Sequence, residues 1–162
     1  MTDDERIEAL KQQEAALIFP RFDEATAYDV GSALRAEALA RQAAIVIDIR
    51  SGTRRLYFTA LPGSAPDNED WARRKGNVTL RCHASSLRVG LALAREGRQP
   101  WPDGALETSE YAAHGGGFPI RVQGTGVVAT VGVSGLPSRE DHVLIVTVLA
   151  RHLGLTNFPA TP

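Results

Sequence analysis

The spacing of apolar residues changes repeatedly along the chain, and each change predicts an element boundary. Thr2 and Glu5 have the spacing of a capping box and predict a first helix reaching about Leu17, with Pro20 barring continuation. Asp23 is a cap for a second helix, Glu24 to Arg41, rich in alanine at Ala25, Ala27, Ala33, Ala36, Ala38 and Ala40. Those alanines permit close packing, and they equally reflect helix propensity alone. From Ala44 to Arg50 the β-branched Ile45, Val46, Ile47 and Ile49 favour a strand. Ser51-Gly52 turns the chain. Leu56, Phe58 and Ala60 then alternate with Arg55, Tyr57 and Thr59, which predicts a hairpin with these two sets on opposite faces. Asp48 stands between isoleucines, so a buried face there requires a partner for its carboxylate.

Pro62 to Asp67 reads as a loop. Within Asn68–Glu96, Leu80, Ala84, Leu87, Leu91 and Ala94 recur at helical spacing and predict one apolar stripe. Gly76-Asn77 or Ser85-Ser86 is the candidate division into two helices, and Gly97 is a stop. Arg98 to Gly117 is irregular. Phe118, Ile120 and Val122, then Val127, Ala129, Val131 and Val133 beyond Gly124-Thr125-Gly126, alternate as a second hairpin. Ser138 and Asp141 have capping spacing for a last helix, Arg139 to Leu153, ending at Gly154. The tail from Asn157 to Pro162 is expected to be loose. The order is helix, helix, hairpin, helix or helix pair, hairpin, helix. It predicts an α+β fold: one domain over 1–162, an antiparallel sheet of four to five strands, and helices packed on its faces.

Composition narrows the function classes. At 162 residues the chain fits one domain without needing a disulfide or a metal to fold. Its formal net charge of −1 provides no field for nucleic acid or an anionic membrane, so neither is an expected partner. The single cysteine, Cys82, excludes an intrachain disulfide, suits a reducing compartment, and is expected to be a small buried hydrophobe. The acidic start Thr2-Asp3-Asp4-Glu5 is not expected to be a signal peptide. No run approaches the ~20 apolar residues of a membrane span, so a cytoplasmic protein is expected. Val143 to Ala150 is apolar all round, and such a helix must be covered on every side. A neighbouring subunit is one cover, predicting a homo-oligomer; the N-terminal helices of the same chain are the other.

The most distinctive string is His114-Gly115-Gly116-Gly117. It imitates the oxyanion loop of some esterases, and Ser134, Asp141 and His152 follow in the order of a catalytic triad. That reading fails. A nucleophile elbow needs glycine where Leu136 stands, and only a hairpin separates the loop from the serine. The glycines run into a strand rather than a helix, which argues against a phosphate loop. They leave a tight turn, or a backbone anion nest. None of His83, His114, His142 and His152 has metal-site spacing, and no metal is predicted. His142 and His152 are separated by roughly 15 Å of helix. His114 is the best candidate for a ligand-facing imidazole. His142 is a surface or packing residue, or with Asp141 the edge of a cleft. Trp71 and Lys75 share a helix face, as a solvated basic patch or as a carboxylate-binding lysine beside an aromatic.

Several of these strings occur together and in order: Asp67-Asn68-x-x-Trp71-x-x-x-Lys75-x-Asn77, Ser85-Ser86-Leu87, Tyr111 through His114 and the triple glycine to Phe118-Pro119-Ile120, Val133-Ser134-Gly135-Leu136-Pro137, and Asp141-His142. The ensemble resembles an uncharacterised branch of the haem-degrading-domain family, small proteins related to HbpS and GlcG, over roughly residues 5–155. The resemblance implies a profilin-like fold, oligomers, and haem binding or degradation in some relatives. It implies a ligand cleft near the Gly-Gly-x-Pro strand start and the Lys75 helix. Lys75, Gly116, Gly117, Phe118, Pro119, Ser134 and Gly135 are the matched positions. No iron ligand is carried over. Two functions follow as expectations. One is a binder of haem or another small anionic ligand, with His114 or His142 as the ligating group and Phe118 or Trp71 as a wall. The other is a non-enzymatic oligomeric scaffold. No catalytic set is assigned.

Overall fold

The computed structural model describes residues 1–162. The first helix, α1 (Asp3–Ala16), starts with the expected capping box: the Glu5 amide donates to the Thr2 hydroxyl, and the Thr2 amide to the Glu5 carboxylate. Asp23 accepts from the Thr26 amide at 2.8 Å to start α2 (Glu24–Ala40). Five strands, β1 (Ile18–Phe19), β2 (Val46–Ser51), β3 (Arg54–Ala60), β4 (Gly117–Val122) and β5 (Gly126–Ser134), form one sheet in the order β1-β4-β5-β2-β3. The fold is α+β. The hairpins β2–β3 and β4–β5 and the central β2–β5 pair are antiparallel. The edge strand β1 runs parallel to β4, so the sheet is mixed. Two residues are too few to show a period, which is why the sequence pattern does not mark β1.

Helices α2 and α5 (Ser138–His152) cover one face of the sheet; α3 (Pro66–Cys82) and α4 (Ser86–Arg95) lie on the other, with α1 packed against α4. The α2/α5 face is the core. Ile45, Ile47, Ile49, Phe118, Val131 and Val133 meet Val30, Leu34, Leu144 and Ile145, all essentially inaccessible. Each such side chain contributes about 1.5–3 kcal/mol by leaving water. Leu144, Ile145, Val146, Val148, Leu149 and Ala150 of α5 are all buried within the single chain. The all-round apolar character of this helix is thus answered by intrachain packing and does not itself require a subunit neighbour. No helix is long and apolar enough to cross a membrane.

The α3 face is built differently. A Cβ on Gly132 of β5 would stand 2.5 Å from the Ala72 carbonyl, and one on Gly117 would stand 2.5 Å from the Lys75 carbonyl. The helix backbone therefore lies directly on the strand backbone, a close approach that only glycine allows. Its buried side is Ala72, Lys75, Gly76, Val78 and Thr79. The expected leucine stripe does not form, and Leu80 is exposed. The helical segment divides at Ser85-Ser86, one of the two candidate points, after His83 adopts φ 50°. Buried Glu14 of α1 holds the break, accepting from the Ser85 amide at 2.8 Å and from Arg88 at 2.8 and 3.1 Å.

Three further expectations change. A bulge between Ile49 and Arg50 pairs Ile49 with Tyr57 and Arg50 with Arg55, so Arg55 shares a face with Phe58, 4.3 Å above its ring, rather than with Tyr57. Cys82 is exposed, because α3 ends there with its other side on the sheet. The tail is tied down: Gln13 donates to the Pro159 carbonyl and Arg139 to the Pro162 carbonyl, each at 2.8 Å, and Phe158 packs on the core. Asp48, as its position required, is partnered by Arg50 at 2.7 Å and Arg55 at 3.2 Å.

Candidate functional site

Lys75 reaches from α3 past the end of the sheet to the start of α5. Its path is open because Gly116, at φ +124°, carries no side chain; a Cβ there would stand 2.9 Å from the Lys75 Nζ and 2.3 Å from the Val133 carbonyl. The ammonium donates to the Val133 carbonyl at 3.1 Å and to the Asp141 Oδ2 at 3.0 Å. Asp141, wholly buried, accepts the Leu136 amide on Oδ1 at 3.1 Å. Burial pushes its carboxyl up to about 6, while Lys75 and the Leu136 and Gly135 amides pull it back. An enclosed pair of this kind adds little net stability, yet losing one partner strands a charge.

The last helix is not capped by Ser138. Pro137 occupies the cap position, where it offers no side-chain bond, and Ser138 begins the helix. The Ser138 hydroxyl instead accepts the Gly115 amide at 2.6 Å. The Gly117 amide donates to Ser86 Oγ at 2.8 Å, and that hydroxyl donates to the His114 carbonyl. The Gly115 and Gly117 amides are therefore both taken. Of the two readings of the triple glycine, a tightly packed turn is the one realised.

Above this floor lies a cleft of about 270 Å³ walled by Trp71, His114, Ser134, Leu136 and Ser138. The His114 ring meets the Trp71 ring edge to face, centroids 5.7 Å apart. Its imidazole is exposed, and no protein group hydrogen-bonds either ring nitrogen. Partial burial first, then the charges of Lys75 and Arg74, lower its pKa, so the ring is neutral near pH 7. The Arg74 guanidinium lies 4.1 Å above the Trp71 ring and is held by Asp70 at 2.8 Å. A second depression of about 500 Å³, bounded by Leu87, Leu91 and Pro100, shares His114 and Ser138 with the first. Of the residues expected from the sequence, Lys75, His114, Ser134 and Gly135 converge here, with Gly116 and Gly117 beneath.

Phe118, Pro119 and His142 do not reach the cleft. Phe118 is in the core, its ring 5.8 Å from that of His142, and Pro119 is buried within β4. His142 is wholly enclosed. Its Nε2 lies 2.8 Å from the Gln13 Oε1, Nδ1 has no partner, and burial lowers its pKa to about 4. Because the Gln13 amide nitrogen is engaged by Pro159, its oxygen faces His142 as an acceptor, so the neutral ring carries its proton on Nε2. Gln13 behind the cleft has no local signature, and Ser138, which the sequence marks only as a helix cap, takes its place in the cleft from Gly115, 23 positions away.

The family model for the haem-degrading protein HbpS-like matches residues 22–150. The chain belongs to the HbpS-like family. A UPF0303 protein of Mesorhizobium japonicum is 46% identical over 92% of this chain and 89% of its own length. Among solved structures, the Ybr137w protein superposes with a TM-score of 0.83 at 28% identity, covering 91% of this chain and 87% of that one. A crystal structure of a PduOC–heme complex superposes with a TM-score of 0.66 at 15% identity, covering 83% and 94%. At that identity the likeness is one of fold. The HbpS-like architecture thus places the Lys75 helix and the glycine turn on the face of the sheet opposite the core.

Proposed function

We propose that this HbpS-like chain is a small-molecule-binding domain whose ligand enters the cleft at His114, with haem the ligand class that the family suggests. One observation carries the reading: a neutral, exposed imidazole with both nitrogens unengaged stands between two adjoining depressions, braced by Trp71. Most exposed histidines simply face water; this one is fixed at the meeting point of two concave surfaces. The donor set suits haem in one respect, since a neutral imidazole nitrogen is an axial ligand for its iron. Trp71 on one side and Leu87 and Leu91 on the other provide apolar walls. When bound, haem would supply redox chemistry; the residues here bind and orient. A reducing, cytoplasmic setting goes with this reading, as Cys82 is a free exposed thiol.

The test is a haemin titration of apo-protein followed in the Soret region. A saturable one-to-one shift that His114→Ala abolishes is expected. A shift unchanged by His114→Ala defeats the assignment.

A second reading, a homo-oligomeric scaffold, is favoured by Tyr28 and Leu39. They are 65% and 43% exposed and lie on the same side of α2 by helical spacing. Light scattering decides it: a particle of 17.4 kDa at working concentration removes this reading, and a multiple of that mass supports it.

A further inference from the structure

Each polar side chain that faces the cleft has a hydrogen left to donate, and no carboxylate is there to take it: no aspartate or glutamate lines the cleft. Asn68 spends its Oδ1 on the Ala65 amide at 2.8 Å, leaving its NH₂. Ser138 Oγ already accepts from Gly115, leaving its O–H. Lys75 gives two of its three ammonium hydrogens to Val133 and Asp141, leaving the third. Ser134 is only 4% exposed, yet its hydroxyl has no hydrogen bond within the protein and lies on the cleft wall. The residue is enclosed on its other sides, so the small part of it that stays open is turned to the cleft. Ser138, the first residue of the fifteen-residue α5, is itself part of the cleft wall, so the positive end of that helix lies beside it.

We propose that the cleft receives the carboxylate of its ligand, with Ser134, Ser138, Asn68 and the third hydrogen of Lys75 as donors and the ligand's body lying against Trp71 and His114. This rests on the reading of the cleft as a ligand site and adds the chemistry of what it recognises. A carboxylate is acceptor-only, so it can take up the hydrogens that Ser134, Ser138, Asn68 and Lys75 have left over. Asp141 already pairs with Lys75, and Asp70 with both Arg73 and Arg74, so no unpaired cation faces the cleft and the ligand's group is expected to carry no more than one charge. Burial first, and then the charges of Lys75 and Arg74, lower the His114 pKa, so both cations are felt at the cleft wall.

Two sources provide such a group: a free aromatic acid, or the propionate arm of a tetrapyrrole. The probe is benzoate, titrated into the full chain and followed by the amide signals of ¹⁵N-labelled protein, beside benzamide, which has the ring without the charge. Benzoate is expected to shift Ser134, Gly135 and Ser138 saturably, with benzamide and inorganic phosphate each weaker by about tenfold or more. Ser134→Ala, a loss of one oxygen, is expected to weaken benzoate about tenfold while the rest of the spectrum keeps its dispersion. Equal responses to benzoate and benzamide, or shifts that avoid the cleft, overturn the proposal. Haemin and its dimethyl ester separate the sources. Haemin that competes with benzoate, with an ester that does not, identifies a propionate; benzoate binding that haemin leaves untouched identifies a free acid. His114→Ala without effect on haemin defeats the imidazole assignment alone and leaves the benzoate result standing.

Discussion

The two faces of the sheet are made of different materials. On the α2/α5 face, large aliphatic side chains from β2, β4 and β5 interlock with two helices, and every polar group is kept out except those of His142 and its neighbours. On the α3 face, Gly117 and Gly132 let helix and strand backbones touch, and what is buried is Lys75, Thr79, Asp48 and Ser134. The first arrangement is tolerant: hydrophobic side chains of about the right volume fill it. The second depends on pairing, because an enclosed charge or hydroxyl needs its partner. The difference explains why the candidate site is where it is. A face built from short residues and fixed charges can hold polar groups at the edge of a cleft, and a face filled with isoleucine cannot.

The largest expected effect tests the pairing on the α3 face. Lys75→Met strands Asp141 in the interior and should cost about 3–5 kcal/mol in urea unfolding, while Lys75→Met with Asp141→Leu should recover much of that loss. A single variant as stable as the parent would remove the ion pair from the account. On the other face, Ile145→Ala should cost about 2–5 kcal/mol through a cavity, and Ile145→Leu less than about 1.5. If the two Ile145 variants cost the same, the tolerance assigned to that face is wrong.

Acid sharpens the comparison, since His142, enclosed with Gln13, and Asp141, paired with Lys75 of α3, are both strongly shifted and act in opposite directions. His142 has a folded pKa of about 4 against 6.5 unfolded. As pH falls from 6.5 to 4 the unfolded chain takes up a proton that the folded chain does not, so stability falls, by up to about 3 kcal/mol. Asp141, at about 6 against 3.8, does the reverse: between those values the folded chain gains the proton and stability rises. His142→Gln should therefore gain on the parent steadily as pH drops from 6.5 to 4, by up to about 3 kcal/mol relative to their difference at pH 7. A constant difference across that window would mean that His142 is not held neutral by its surroundings. The smallest effect on stability is expected at the cleft rim. His114→Ala should stay within about 0.5 kcal/mol of the parent in thermal unfolding, since the ring makes no hydrogen bond to the protein.

Much of the fold was legible because most elements announce themselves by period. Both hairpins, the capped α1 and α2, and the apolar α5 carry their signals locally. The stripe expected along the central helices was misleading because the side that meets the sheet is alanine, glycine, lysine and threonine, which hydropathy does not count as core. The bulge in β2–β3 shifted a face assignment that strict alternation predicts. In the site, Lys75, His114, Ser134 and Gly135 were visible as motif residues, and the structure draws them together. His142 looked like a cleft residue because it follows Asp141 in sequence; consecutive helix residues point about 100° apart, and only one of them faces Lys75. Its partner Gln13 lies 129 positions away on a helix whose own pattern is polar, so nothing local marks it.

The central claim is that one face of the sheet builds the molecule and the end of the other binds its ligand. Haemin added to ¹⁵N-labelled protein tests this most directly, because its paramagnetic iron broadens the signals near it. Broadening confined to Trp71, His114, Ser134 and Ser138, with Val30, Leu34 and Ile145 unaffected, is the predicted result. Broadening centred on α2 and α5, or spread evenly over the surface, would contradict it.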